Sequence, residues 1–222
     1  MNRRDFSKHL AGASLGWTVA GLAQAQAQGA PVEGQQYVKL NTPASVTLAG
    51  TDKKIEVVEF FGYWCPHCYA FESTLEAWVK QLPVDVLFRR VPVAFGVPQQ
   101  ALQKAYYALE EMGQLPALHR KIFAAIHQQN KRLGTESEIS EFMLAQGVDG
   151  PKFREAFGSF GVNTKGNRAR QLSQEYKIDG VPTLGVQGRF FTSGTLAGSN
   201  ERMVAVADFL IQRSRQPAVA KG

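Results

Sequence analysis

Ile55-Glu56-Val57-Val58-Glu59-Phe60-Phe61-Gly62-Tyr63-Trp64-Cys65-Pro66-His67-Cys68 decides how this chain is read. Ile55–Phe61 is a near-continuous apolar run with β-branched and aromatic residues, which predicts a central strand covered on both faces. Cys65 and Cys68 are the only two cysteines in 222 residues. Beyond them Tyr69, Phe71, Leu75, Trp78, Val79 and Leu82 recur at roughly helical intervals, so a helix is expected over 67–82. Pro66 fits its first turn, where a missing N–H costs nothing, and Pro83 closes it. Residues 84–93 alternate as the next strand. Strand, cysteine turn, helix and strand form a βαβ unit with its chemistry at the C-terminal end of a strand.

With no third cysteine, neither a disulfide framework nor a four-thiolate zinc site can be built. The pair is a redox couple, part of a mixed-ligand metal site, or inert core. At a helix start the unpaired N–H groups and the positive end of the dipole stabilise an anion. Cys65 is therefore expected to be an exposed, low-pKa thiolate, and Cys68, one turn in, to be buried and less acidic. His67 adds a donor or a positive charge beside the Cys65 sulfur. Stabilising that thiolate stabilises the reduced form and makes the disulfide a stronger oxidant. The rival binding module has Cys65, His67 and Cys68 holding Cu(I) or Zn(II), but three residues on one helical turn rarely close a tetrahedral set.

Outward from the motif, 28–35 reads as a lead-in, 36–40 as a short strand and 41–52 as a loop. After Pro98 the character changes. Helices are expected over 99–112, 115–129, 136–146, 151–160 and 165–176, punctuated by Gly113, Gly134, Gly147, Gly150 and Gly161. Thr135 to Glu138 has the pattern of a capping box. Strand patterning returns at 183–187, turns at Gly188 and continues over 189–192, and a last amphipathic helix over 200–213 follows Ser199 as its N-cap. The chain is an α/β sheet domain with a helical insertion.

The formal charge is +6, with charged residues at 20% of the chain. Arg3, Arg4 and Lys8 against Asp5 put +2 of that in residues 1–27 and leave +4 for the rest. No block of five like charges occurs, so a nucleic-acid stripe is not expected. Residues 1–27 read as a cleaved export signal: a basic start, a Gly/Ala-rich apolar core, and small-x-small sites at Ala23-Gln24-Ala25 and Ala25-Gln26-Ala27. The core, about 14 residues, falls short of the ~20 that span a bilayer. Asn2-Arg3-Arg4-Asp5-Phe6-Ser7-Lys8 is also similar to a twin-arginine motif, so the general secretory and twin-arginine routes both stay open. Either one leads to a compartment where disulfides persist.

Glu59 through Tyr69 is very similar to the active-site segment of the DsbA-type periplasmic thiol:disulfide oxidoreductases, down to the Cys-Pro-His-Cys filling. Gly180-Val181-Pro182-Thr183 resembles the loop that carries a cis-proline facing the disulfide in that family. The helical insertion also matches, so the likeness covers about the whole mature chain. DsbA is the standard example of an oxidant whose reduced form is stabilised. The resemblance implies a thioredoxin-like domain, 28–97 and 177–222, with an inserted all-helical domain, 98–176. It implies that Cys65 is the nucleophilic cysteine and Cys68 the resolving one, with Pro66 and His67 tuning the thiolate. Val181, Pro182 and Trp64 would line the substrate groove, Val181 and Pro182 pairing their backbone with an extended substrate. It implies reduced, newly exported proteins as substrates, a DsbB-like membrane quinone reductase as oxidant, a monomer, and no metal, nucleotide or organic cofactor. An isomerase or reductase of the same fold is the alternative, although the lead-in is too short for the separate dimerisation domain of DsbC-type isomerases.

Glu59 breaks an apolar run, and burying it unpaired would be costly. In DsbA-like proteins an acid at this position lies beneath the disulfide and exchanges protons with the resolving cysteine. The competing expectation is a strand acid pointing to solvent, as expected of Glu56. Arg89-Arg90 reads as a solvated strand end, with Arg90 a partner for Glu59 as the second reading. Tyr63, Phe95 and Phe191 are groove walls or ordinary core. His119 and His127 have no ligand spacing to a cysteine and receive no role.

Overall fold

The computed structural model describes residues 29–47 and 54–216. The expected export signal and part of the 41–52 loop lie outside them. Among the described residues a five-stranded sheet runs in the order β1 (Val38–Lys39), β5 (Phe190–Ser193), β4 (Thr183–Val186), β2 (Ile55–Phe61) and β3 (Val86–Pro92). β2 and β3 are parallel, joined by helix α1 (Pro66–Val79), and the other neighbours are antiparallel. All seven residues of β2 are buried. This is the environment its unbroken apolar pattern demands, because both faces are covered.

One face packs Ile55 and Val57 with Phe71, Leu75 and Trp78 of α1 and with Met203, Val206 and Leu210 of α8 (Asn200–Arg215). The other face packs Val58 and Phe60 under the inserted helices: α2 (Val97–Glu111), α3 (Leu115–His127), α4 (Glu136–Ala145), α5 (Gly150–Gly158) and α6 (Phe160–Glu175). Phe61 joins the layers, its ring 5.5 Å from Tyr106 and 6.0 Å from Phe123. Thr135 and Glu138 close the expected capping box of α4. The β4–β5 hairpin turns on three residues, Gln187–Arg189, between the paired Val186 and Phe190, with Gln187 and Gly188 both at positive φ. A Cβ on Gly188 would sit 2.3 Å from the Ala44 carbonyl oxygen.

Three expectations are corrected. First, Glu56 does not face solvent. It is fully buried, and Arg89 bonds it through Nε at 2.9 Å while Thr47 N–H donates to the same carboxylate oxygen at 3.1 Å. Arg89 and Arg90 are accordingly not a solvated strand end but interior residues of β3, each serving a glutamate on β2. Second, Gly161 does not interrupt a helix. Ser159 ends α5 and caps α6 by accepting from Val162 N–H at 3.0 Å. Gly161 then lies inside α6, where a Cβ would meet Glu111 Oε1 of α2 at 2.6 Å. Third, a short helix α7 (Gly194–Ala197) precedes α8 where none was expected.

Candidate active site

Cys65 is the N-cap of α1, with extended backbone at φ −89° and ψ 116°. Its sulfur accepts from Cys68 N–H at 3.4 Å, the place usually taken by a serine or aspartate oxygen. Gly62 makes the approach to the cap: Cys65 N–H donates to its carbonyl at 3.0 Å, and a Cβ on Gly62 would collide with the Trp64 indole at 2.4 Å. Pro66 and His67 are exposed in the first turn and Cys68 is fully buried.

The two thiols are free, and the fold separates their proton affinities. Cys65 is drawn from the usual 9.0 down to about 6, chiefly by the Cys68 thiol donating to it, against the opposing effect of burial. Backbone N–H groups of Cys68 and His67 and the His67 charge help. Cys68 is pushed far up, first by burial, then by its bond to Cys65 and the negative charges of Cys65 and Glu59. Cys65 is less open than expected, at 3% exposure. The reason is tertiary: the Val181 carbonyl, next to the cis Val181–Pro182 peptide bond, sits against Cys65 and accepts from its thiol at 3.3 Å.

Beside this loop lies a groove of about 740 Å³ whose lining includes His67, Ile178, Val181, Pro182, Phe191 and Leu196. Trp64, expected to line the groove, is not among its lining residues; it is half-buried and edge-on to the half-exposed Phe95 at 5.9 Å between ring centres. A second cavity, about 750 Å³, sits between β3 and helices α2 and α6. His67, Val181 and the cis-proline line the first and not the second, so the chemistry belongs to the first.

Glu59 is buried at 1% exposure, and Arg90 donates to it through Nε at 2.9 Å. Burial raises its carboxyl to about 8, against the pull of Arg90 and with help from the negative charge of Glu72. Arg90 also bonds Glu72, and His119 Nε2 lies 3.3 Å from the same Glu72 oxygen. His127 Nε2 is 2.7 Å from the Tyr63 carbonyl oxygen, and its ring stacks on Tyr69 at 5.1 Å. Sequence reasoning passed over Glu72 and gave His119 and His127 no role. Only Glu72 carried a signal, since it stands one helical turn after Cys68 on the buried face of α1. Among the described residues no group of three His, Cys, Asp or Glu side chains is arranged to hold a metal ion.

Comparison with known proteins places this geometry. The family model for a DSBA-like thioredoxin domain matches residues 84–208. A thiol:disulfide interchange protein DsbA of Bordetella pertussis is 43% identical over 217 residues, spanning 97% of this chain and 100% of its own. The DsbA of Pseudomonas aeruginosa PAO1 is 40% identical, over 83% of this chain and 86% of its own. A crystal structure of Pseudomonas aeruginosa DsbA superposes with a TM-score of 0.77 at 39% identity, covering 82% of this chain and 93% of that one. The oxidoreductase DsbA from Xylella fastidiosa gives 0.77 at 32% identity, covering 84% and 99%. A chain that shares this fold with DsbA structures, and nearly its whole length with relatives at that identity, belongs to the DsbA family of thiol:disulfide oxidoreductases.

Proposed function

We propose that this thiol:disulfide oxidoreductase works as an oxidant, passing its Cys65–Cys68 disulfide to reduced, newly exported proteins. The observation that carries this is the opposite displacement of the two thiols over a buried carboxyl. A substrate thiolate attacks the Cys65 sulfur, the Cys65–Cys68 bond breaks, and a mixed disulfide forms at Cys65. Cys68 leaves as a thiolate and takes the proton of Glu59. A second substrate thiolate then attacks the substrate sulfur and expels Cys65 as the stabilised thiolate. Two electrons have moved from substrate to protein.

Pro66 and His67 tune that thiolate. Val181, Pro182 and Trp64 bind the extended substrate segment, with Val181 backbone groups as pairing partners. Residues 28–97 and 177–222 form the redox domain and 98–176 the helical insert. Residues 1–27 are removed on export to the periplasm. The protein acts as a monomer and is reoxidised by a DsbB-like membrane quinone reductase.

The magnitude is modest but directional. At pH 7 a thiol titrating near 6 is about nine-tenths ionised, against about one-hundredth for one at 9.0. This favours the reduced form about tenfold, roughly 30 mV for a two-electron couple. Equilibration of the Cys65–Cys68 pair with glutathione tests the reading. An oxidant lies well above the roughly −270 mV of thioredoxin. A potential at or below that value would make the protein a reductase.

A further inference from the structure

Two carboxyls beneath the cysteines share one guanidinium. Arg90 bonds Glu59 of β2 and Glu72 of α1, whose side chains are 1% and 6% exposed. The third group on Glu72 comes from the helical insert: His119 of α3, 7% exposed at its side chain, brings Nε2 to 3.3 Å from the Glu72 oxygen that Arg90 also bonds, a close polar approach without hydrogen-bond alignment. Its other nitrogen, Nδ1, is 2.7 Å from the hydroxyl of Tyr63, two residues before Cys65. A carboxylate oxygen beside Nε2 favours the tautomer of the neutral imidazole that carries its proton there, which leaves Nδ1 to accept from the Tyr63 hydroxyl, kept protonated by burial.

The remaining charged or titratable neighbours are few. Glu76 of α1 is bonded to Arg120 of α3, and Tyr106 packs from α2. Glu72 is therefore the variable element. The more unbalanced its charge, the more it draws on Arg90 and the more it repels an ionised Glu59.

We infer that His119 is a positioning residue for thiol–disulfide exchange: its Nε2–H offsets Glu72, leaves Arg90 to Glu59, and so sets the pH range in which Glu59 takes and returns the Cys68 proton. This rests on the proton exchange assigned to Glu59 above. In the step concerned, Cys68 S–H gives its proton to the Glu59 carboxylate. The sulfur electron pair forms the bond to Cys65, and the group held at Cys65 departs as a thiolate. An inserted domain thus reaches the proton chemistry of the redox domain through one imidazole.

The test uses the full chain trapped as a Cys65–glutathione mixed disulfide, with glutathione release followed by stopped flow between about pH 5 and pH 10. The wild-type rate should rise through one inflection that Glu59→Gln removes. His119→Phe should move that inflection up by about half a pH unit, slowing release about threefold on its acid side. Glu72→Gln should move it down, and His119→Phe should then add nothing in the Glu72→Gln background. His119→Gln, which keeps a donor for Glu72, should restore most of the wild-type profile. An inflection that survives Glu59→Gln overturns the Glu59 reading itself. One lost in Glu59→Gln but unmoved by His119→Phe, or moved equally with and without Glu72, overturns the role of His119 alone. If His119→Phe does not fold, an inflection unmoved by Glu72→Gln overturns it in the same way.

Discussion

At Cys65 a sulfur occupies the position where a serine or aspartate oxygen ordinarily caps a helix, and its pKa is lowered chiefly by the Cys68 thiol, with the capping Cys68 N–H as a smaller influence. Titration of the reduced protein by thiolate absorbance should show one step near pH 6, with Cys68 silent across the accessible range. His67→Leu should raise that step by about half to one pH unit by removing a charge beside the sulfur. An unchanged step would remove His67 from the tuning. Stability follows with a definite sign. Because the folded pKa of Cys65 lies below its unfolded one, the reduced form gains stability as pH rises from about 6 toward 9 and loses it as pH falls through 6. The full gain is about 4 kcal/mol. Glu59, raised in the fold, acts in the opposite sense, but it is present in both redox states and largely drops out of their difference. Urea midpoints of reduced minus oxidised protein should therefore grow between pH 5 and pH 8. A difference flat with pH would mean that Cys65 is not the depressed group.

At the scale of an element, β3 is defined by what it neutralises. Parallel register sets Arg90 opposite Glu59, and Arg89 reaches Glu56 on the other face of β2. A glutamate on each face of a buried strand is tolerable only because the edge strand supplies a guanidinium to each. Arg89→Leu should leave Glu56 buried without its charge partner and cost about 3–5 kcal/mol in urea unfolding. Glu56→Leu combined with Arg89→Leu should recover most of that loss. If the single and double variants are equally unstable, the cost comes from packing and not from the charge. Arg90 carries the same duty toward Glu59 and adds a second, to Glu72, which is why the charge of Glu59 is tied to α1 and α3 as well as to its own strand.

Across the whole molecule the sheet and the helical insert are welded at the active-site segment. The Phe61 ring lies 5.2 Å from Tyr63 and 5.4 Å from His119, and His127 clasps the Tyr63 carbonyl. Phe61→Ala should cost about 3–5 kcal/mol by opening a cavity between the two layers. Far-ultraviolet and near-ultraviolet dichroism should still report one coincident transition, shifted as a unit. If the helical signal kept its wild-type midpoint while the tertiary signal moved, the insert would be an independently folding body. The weld also gives the insert a functional meaning, since His119 and His127 both make polar contacts with Tyr63, two residues before Cys65.

The sequence by itself determined the elements and the reactive pair. Apolar periodicity and the proline and glycine punctuation are local, so β2, the helix start at Pro66, the capping box at Thr135 and the hairpin at Gly188 were legible. So was the placement of two cysteines at a helix N-terminus. Glu59 was legible as an anomaly because a charge interrupted an apolar run, yet Glu56 in the same run was misread for want of any sign that Arg89 would meet it. The tertiary structure alone decided the covering of Cys65 by the Val181 loop, the sharing of Arg90 and the placement of His119. Those depend on strand register and on the docking of an insert far along the chain, and a buried charge takes the partner that packing delivers, not the one its sequence neighbours suggest.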